Sequence, residues 1–326
     1  MAEEKKTKSR SVRCRRKKSV SVCSCNEDSY RSFALLRNDG VLPLKTAKGV
    51  AIVECRKSKS IASSQVLYKS FLESNEQVAY VSHILGQKSP KQAIKVTVKK
   101  LKKNPIVILY IRNEAKSELA EIEQLASSIK KHSTLILCYH KTGSLLSSSL
   151  ISCASAVFAC FNKDKEDAKA LYNLILGNAS PYARVNIGLT APFIYEYLSE
   201  GSMGYSAFMG YGLSYVNFSY TNVELSYYNA KVGEKIDVEA VITNTSDANA
   251  CEFVQLYVSP VQNYSPMLID CGKVYVSARE SKIVSFEIDT SKLDYSSFED
   301  NEAYEFYVCV GKSSIDVVRI PFRVIC

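Results

Sequence analysis

Apolar residues fall into short uninterrupted runs through the first half of the chain. VAIVEC (50–55), PIVILYI (105–111), TLILCYH (134–140) and AVFACF (156–161) are bounded by Gly, Pro or charged residues. A strand wetted on one face alternates apolar and polar positions, whereas one buried on both faces reads as a solid apolar run. Between these runs the period changes. AKSELAEIEQLASSIKK (115–131) sets Leu119, Ile122, Leu125/Ala126 and Ile129 on one helical stripe, and DKEDAKALYNLILGN (164–178) is an amphipathic helix closed by Gly177. SSQVLYKSFLESN reads as a helix and QVAYVS as a strand, while AIKVTVKKLKKN alternates up to Pro105. SYRSFALLRNDGVLPLK (29–45) reads as a helix ending around Arg37–Gly40, with Asn-Asp-Gly as a turn and Pro43 forcing an extended exit. Strand, helix, strand, strand, helix with short connections predicts a parallel sheet with helices on its faces.

Beyond residue 208 the pattern is different. VEAVITNTSD, EFVQLYVS, GKVYVS, KIVSFEI, YEFYVCVG and VVRIPFRV are rich in Val, Ile, Tyr and Phe and are separated by polar turns. Strands that reverse about every ten residues predict a β-sandwich. The fold class expected is therefore an α/β parallel-sheet domain followed by an all-β sandwich. The expected boundaries are a disordered basic tail over 1–28, the α/β domain over 29–195, a linker over 196–208 and the sandwich over 209–326.

Charge changes this picture only at the start. The net charge is +9, and residues 1–18 hold nine Lys/Arg against Glu3 and Glu4. The rest of the chain then carries about +2, which leaves no domain-wide basic field to explain. The basic arm reads first as a solvated tail; a nuclear-localisation or polyanion-binding arm over residues 1–25 is the sharper alternative. The eleven cysteines are odd in number and irregularly spaced, and several lie in apolar runs, so a disulfide framework is not expected. Free thiols and SVSVCSCNED, which lacks an apolar signal core, predict a cytoplasmic protein, or a nuclear one through the arm; secretion would require an incomplete N-terminus. No apolar stretch is long enough to span a membrane. Cys23 and Cys25 lack the second pair or the nearby histidines that zinc uses, so neither a metal nor a cofactor is expected.

Several segments carry a resemblance. Leu35, Leu36, Arg37, Asn38, Gly40, Leu42, Pro43 and Leu44 match an opening run typical of the α/β domain of glycoside hydrolase family 3, the β-glucosidase-like enzymes. In LGNASPYARVNI, Gly177, Pro181 and Arg184 match a later Gly-x-x-x-Pro-x-x-Arg pattern, without the usual Gly after the Ser position. MGYGLSYVNFSY (209–220) resembles the family's Phe-Gly-Tyr-Gly-Leu-Ser-Tyr signature, with Met209 for the first aromatic. VITNTSDANACEFVQLYVS, the ESKIVSFEI segment and VGKSSID resemble its terminal fibronectin type III-like (immunoglobulin-like) sandwich. The runs follow the family's order from residue 32 to about 318.

The resemblance implies carbohydrate chemistry, and that chemistry has requirements. A retaining glycosidase opposes two carboxyl groups roughly 5–5.5 Å apart, one attacking the sugar and one protonating the leaving oxygen. In the family the nucleophile is an aspartate in a Ser/Thr-Asp-Trp setting on an N-terminal barrel. This chain has no Trp, and a barrel takes about 200 residues or more, so no nucleophile is expected. The family's acid/base is commonly a glutamate on a loop of the α/β domain. Glu114, in RNEAKSELAEIEQ, stands nearest that position, but the loop is shortened and its Asp-Arg is missing. The plainer reading of Glu114 is an acid at a helix N-terminus. FNKDKEDAK replaces the family's Pro-Gly-Gln-x-x-Gly turn, so the sugar-facing loops look eroded. His83, His132 and His140 lie in unrelated contexts, and no nucleophile elbow or phosphate loop is present. Tyr195/Tyr197, Tyr205, Tyr211/Tyr215 and Tyr227/Tyr228 offer sugar-stacking faces but read first as packing. The expected function is that of a truncated, degenerate family 3 hydrolase without autonomous catalysis, acting in carbohydrate or protein binding. Two alternatives stand beside it: the C-terminal part of an active β-glucosidase whose barrel lies elsewhere, and a basic-tailed module binding a polyanion. The face that would pack on a barrel predicts self-association or a protein partner.

Overall fold

The computed structural model describes residues 28–56, 66–74, 76–112, 118–140, 148–161, 165–185, 210–296, 298 and 303–325. The expected basic tail, except Asp28, and the expected linker lie outside the described residues. No helix among the described residues is long and apolar enough to cross a membrane.

The first half builds one six-stranded sheet from β1 (Phe33–Asn38), β2 (Val50–Arg56), β3 (Ala79–Ile84), β4 (Ile106–Arg112), β5 (Thr134–His140) and β6 (Ala156–Cys160). Its spatial order is β1-β6-β5-β4-β2-β3. Every pairing is parallel except β1 with β6. The solid apolar runs have the cause expected of them, because alternate residues serve two different cores. Val53, Leu109, Leu137 and Val157 face one core, whereas Ile52, Ile108, Ile136 and Phe158 face the other. Helices α2 (Pro90–Leu101), α3 (Leu119–Lys130) and α4 (Ser148–Cys153) cover the first side, and α1 (Val66–Glu73) and α5 (Lys165–Leu176) cover the second.

One sequence expectation is corrected here. The segment 29–37 is not a helix: a 3-10 turn (Asp28–Ser32) leads into strand β1. Phe33 and Leu35 enter one core and Ala34 and Leu36 the other, and the run pairs antiparallel with β6 from Phe33↔Cys160 onward. Six residues are too few for a helical period to be told from a two-sided strand. The alternating run AIKVTVKKLKKN, unassigned by pattern alone, forms most of helix α2. Pro90 starts it, Ile94, Thr97 and Leu101 are its buried positions, and Val96 is left exposed.

The second half forms two facing sheets. β7 (Phe218–Leu225), β9 (Lys235–Asn244) and β12 (Ser281–Asp289) make a three-stranded sheet in the order β12-β9-β7. β8 (Asn229–Lys231), β10 (Ala250–Pro260), β11 (Met267–Val276), β13 (Ala303–Gly311) and β14 (Val317–Ile325) make a five-stranded one, in the order β11-β10-β13-β14-β8. Ile236, Val238, Ala240 and Ile242 of β9 are buried at every second position and share a core with Val254, Leu256, Phe306 and Val308 of the opposite sheet. The pairings are antiparallel apart from the short β14–β8 match.

The opening motif acts at the top of this fold. The Asn38 side chain donates to Leu42 O (2.8 Å) and accepts from Leu42 N (3.0 Å), which closes the turn around Gly40. Leu44 N then donates to Ile175 O of α5 (2.8 Å). Gly177, which ends α5, holds φ at +76°, and a Cβ there would sit 2.6 Å from Pro43 Cβ. Gly177→Ala therefore meets both left-handed strain and a steric clash, and should destabilise the protein by about 2 kcal/mol or more. Chemical denaturation against the parent chain checks this.

Candidate functional site

In a parallel α/β sheet, ligands bind in the crevice beyond the carboxyl ends of the strands. Here β2, β4, β5 and β6 run into residues 57–65, 113–117, 141–147 and 162–164, all outside the described residues. Glu114, the sequence's acid/base candidate, is among them. So are Tyr195, Tyr197 and Tyr205, and the charged segment around residues 162–164.

What the described part of that edge contains is a buried polar relay. His83 lies on β3, Thr97 on the inner face of α2 and Glu121 in the first turn of α3, and all three are buried. His83 Nδ1 is 2.9 Å from Thr97 Oγ1, and Nε2 is 3.1 Å from Glu121 Oε1. A carboxylate only accepts, so Nε2 carries the proton and Thr97 donates to Nδ1. Gly86 N donates to the second oxygen, Glu121 Oε2 (2.9 Å). Hydroxyl, imidazole and carboxylate in line suggest a nucleophilic triad, but the hydroxyl faces the core. Both Glu121 oxygens are already engaged, so it cannot serve a substrate. The relay latches β3, α2 and α3 together. Local spacing carries no sign of it, because the three residues come from three elements and share no motif.

Burial pushes the His83 imidazole below its ordinary pKa, more strongly than the hydrogen bond and charge of Glu121 raise it. The unfolded chain therefore takes up this proton first. The relay's contribution to stability is present above about pH 6.5 and declines as the pH falls below it.

The second polar cluster lies where the six-stranded sheet meets the five-stranded one. Arg184 Nη2 is 2.5 Å from Glu252 Oε1, with both side chains nearly inaccessible to solvent. Arg184 Nη1 also donates to Gly212 O, and Tyr220 Oη donates to the same Glu252 oxygen (2.8 Å). Burial and the adjacent carboxylate push the Tyr220 phenol well up. Around the pair, Val185 N donates to Tyr211 O (2.8 Å), Gly210 N to Val185 O (2.9 Å) and Leu213 N to Leu35 O (2.7 Å). Ser180 and Ser214 hydroxyls are 2.8 Å apart, and Tyr215 Oη donates to Leu174 O (2.8 Å). Gly212 packs so closely that a Cβ would lie 2.5 Å from Ala183 O. Gly210, at φ +79°, would drive a Cβ into Gln255 and Tyr257. Tyr211 and Tyr215 are thus packing residues, whereas Tyr227 and Tyr228 are exposed. Among the described residues no group of three His, Cys, Asp or Glu is placed to hold a metal ion.

With this geometry in view, comparison with known proteins is informative. No family model matches the chain. A putative beta-xylosidase of Formosa agariphila is 25% identical over 93% of this chain and 46% of its own length. The exo-alpha-(1->6)-L-arabinopyranosidase of Bifidobacterium longum is 38% identical over 33% of this chain. A Bifidobacterium adolescentis GH3 beta-glucosidase structure superposes with a TM-score of 0.70 over 91% of this chain and 52% of that one, at 21% identity. This chain resembles the C-terminal part of family 3 glycoside hydrolases. At that identity the structural match is one of fold, and the chain spans about half the length of the xylosidase and glucosidase it matches. Residues of the segments that carry the resemblance, Arg184, Gly210, Gly212, Leu213 and Tyr215, lie where the sheet meets the sandwich, while Gly177 packs against Pro43 within the sheet domain.

Two measurements test these assignments. Arg184→Met leaves the Glu252 carboxylate buried without its cation and should cost about 3–5 kcal/mol, most of it recovered in the Arg184→Met/Glu252→Leu double variant. Equilibrium unfolding in urea reads both. Between about pH 7.5 and pH 5 the parent chain should lose stability while His83→Gln, which hydrogen-bonds without titrating, loses less.

Proposed function

We propose that this chain is a family 3 glycoside hydrolase-like module that does not hydrolyse glycosides by itself and acts in carbohydrate or protein binding. Its parts, on this reading, are an α/β domain over 29–195, a linker over 196–208 and a fibronectin type III-like sandwich over 209–326. The observation that carries the reading is how the shared residues are used. The described residues that match the family hold the scaffold, and the buried carboxylates near the described sheet edge are used internally, Glu121 through both oxygens and Glu54 by Tyr80. Hydrolysis with retention needs two carboxyl groups facing one sugar. On this reading the loops beyond β4 and β6 have drifted from the sugar-binding form, and that carboxyl edge is the surface a carbohydrate, a protein partner or a second copy would meet.

A second reading is favoured by the coverage. Similarity to the Formosa protein extends over nearly the whole chain but under half of that putative xylosidase. Here Glu114 is the acid/base of an active glycosidase whose nucleophile is carried on a separate barrel.

Incubation of the purified chain with aryl β-glucoside and β-xyloside tests the first reading. No release of the aryl group above the Glu114→Gln variant is expected. Turnover abolished by Glu114→Gln, with a covalent glycosyl intermediate trapped on one of the chain's own carboxylates, would overturn the first reading.

A further inference from the structure

The net charge of +2 outside the arm conceals a local extreme. No acidic residue occurs between Glu76 and Glu114, while lysines stand at 88, 91, 95, 99, 100, 102 and 103. Helix α2 carries most of them. Lys91, Lys95 and Lys99 on α2 and Lys102 at its C-cap, spaced by four, four and three residues, lie on one face, about 4.5–6 Å apart along the axis. All four are exposed. They form one wall of a groove of about 940 Å³ between α2, α3 and α4, and Lys131, at the end of α3, stands on another. Glu123 is the one carboxylate among the described lining residues, and none of the five lysines makes an ion pair with a described residue. Charge on this face is therefore concentrated and uncompensated. The field is local rather than domain-wide, because the acids that balance the total sit elsewhere in the chain.

We propose that this groove binds the phosphate backbone of a single-stranded nucleic acid. Three features select that partner. The charges are lysines, which meet phosphates as point charges and so accept a backbone without fixing its register. They form a row along a concave surface, which follows a strand better than the flat plane of lipid headgroups. His132 is the one aromatic ring among the described lining residues, so stacking is minor and recognition rests on the backbone, independent of sequence. The site lies on the helical face rather than at the sheet edge and stands independently of the glycosidase reading.

Fluorescence anisotropy of the full chain with a labelled oligonucleotide of about 20 bases, titrated from about 50 to about 200 mM salt, tests the proposal. Replacing Lys91, Lys95, Lys99 and Lys102 by Gln should lower affinity at least about tenfold at the low-salt end and make the slope of log K against log salt shallower by about 2.8. Gln at Lys45, Lys48, Lys69 and Lys231, exposed lysines outside the groove, removes the same total charge and should change affinity less than about twofold. Arg at the four groove positions should retain binding. If the fourfold Gln variant fails to fold, Lys91→Gln/Lys95→Gln carries the test with an expected slope change of about 1.4. Absence of saturable binding, equal losses from the groove and control sets, or tighter binding of polyglutamate or of phosphatidylserine vesicles than of the oligonucleotide would overturn it.

Discussion

The buried pair of Arg184 and Glu252 sets the arrangement of the whole molecule. It joins the segment after α5 to the start of β10, so it fixes the sandwich against the parallel sheet. Two charges withdrawn from water gain little net stability, since desolvation offsets most of their attraction. The pair's value lies in geometry. Arg184 Nε and Glu252 Oε2 are left without a hydrogen-bond partner among the described residues. Such a pair penalises any shift that would separate the remaining contacts, and Tyr220 and the Gly212 carbonyl hold it in one arrangement.

That constraint explains which parts of the sequence are recognisable. A seam this tight requires glycine where Ala183 or Gln255 approaches the backbone. It requires one guanidinium able to reach a carboxylate and a carbonyl at once. These demands come from packing and are indifferent to what the sheet edge does, so resemblance along the seam speaks for the scaffold and not for the reaction. On the reading proposed here, chemistry belongs to the loops beyond the strands, and the Glu114 and FNKDKEDAK segments are where the resemblance weakens.

The sequence was most legible where burial alone decides structure. Solid apolar runs marked β2, β4, β5 and β6, and alternation marked the sandwich strands, because both patterns record which faces meet water. It was misleading where a long-range partner decides. Phe33–Asn38 becomes a strand only because β6 is there to pair with it, and α4 is too short to show a period. Helix α2 hid behind alternating Ile94, Val96 and Val98, whose three-residue rhythm with Leu101 appears only once Val96 is seen to be exposed. The His83 relay could not be read at all, since hydrogen bonding across three elements leaves no trace in local spacing. The basic groove was legible in principle. It was lost by summing charge over the chain instead of asking where the acids fall.

The energetics of α2 give that basic face its interest. A solvent-facing helix is ordinarily supported by Glu–Lys pairs four residues apart, each worth about 0.2–0.5 kcal/mol, and like charges at that spacing oppose it by similar amounts. Helix α2 contains no acid and places Lys91, Lys95 and Lys99 in that repulsive register. Lys99 and Lys100 in its last turn suit the helix dipole, but Lys91 in the first turn works against it. The helix is held instead by the insertion of Ile94 and Leu101 into the core and by the bond from Thr97 to the buried imidazole. A face that repels itself and is kept in place from below is one whose strain an anion relieves. Binding of a polyanion and stability of α2 are therefore coupled through the same four lysines, and neutralising those charges without a ligand should favour the helix even as it removes the site.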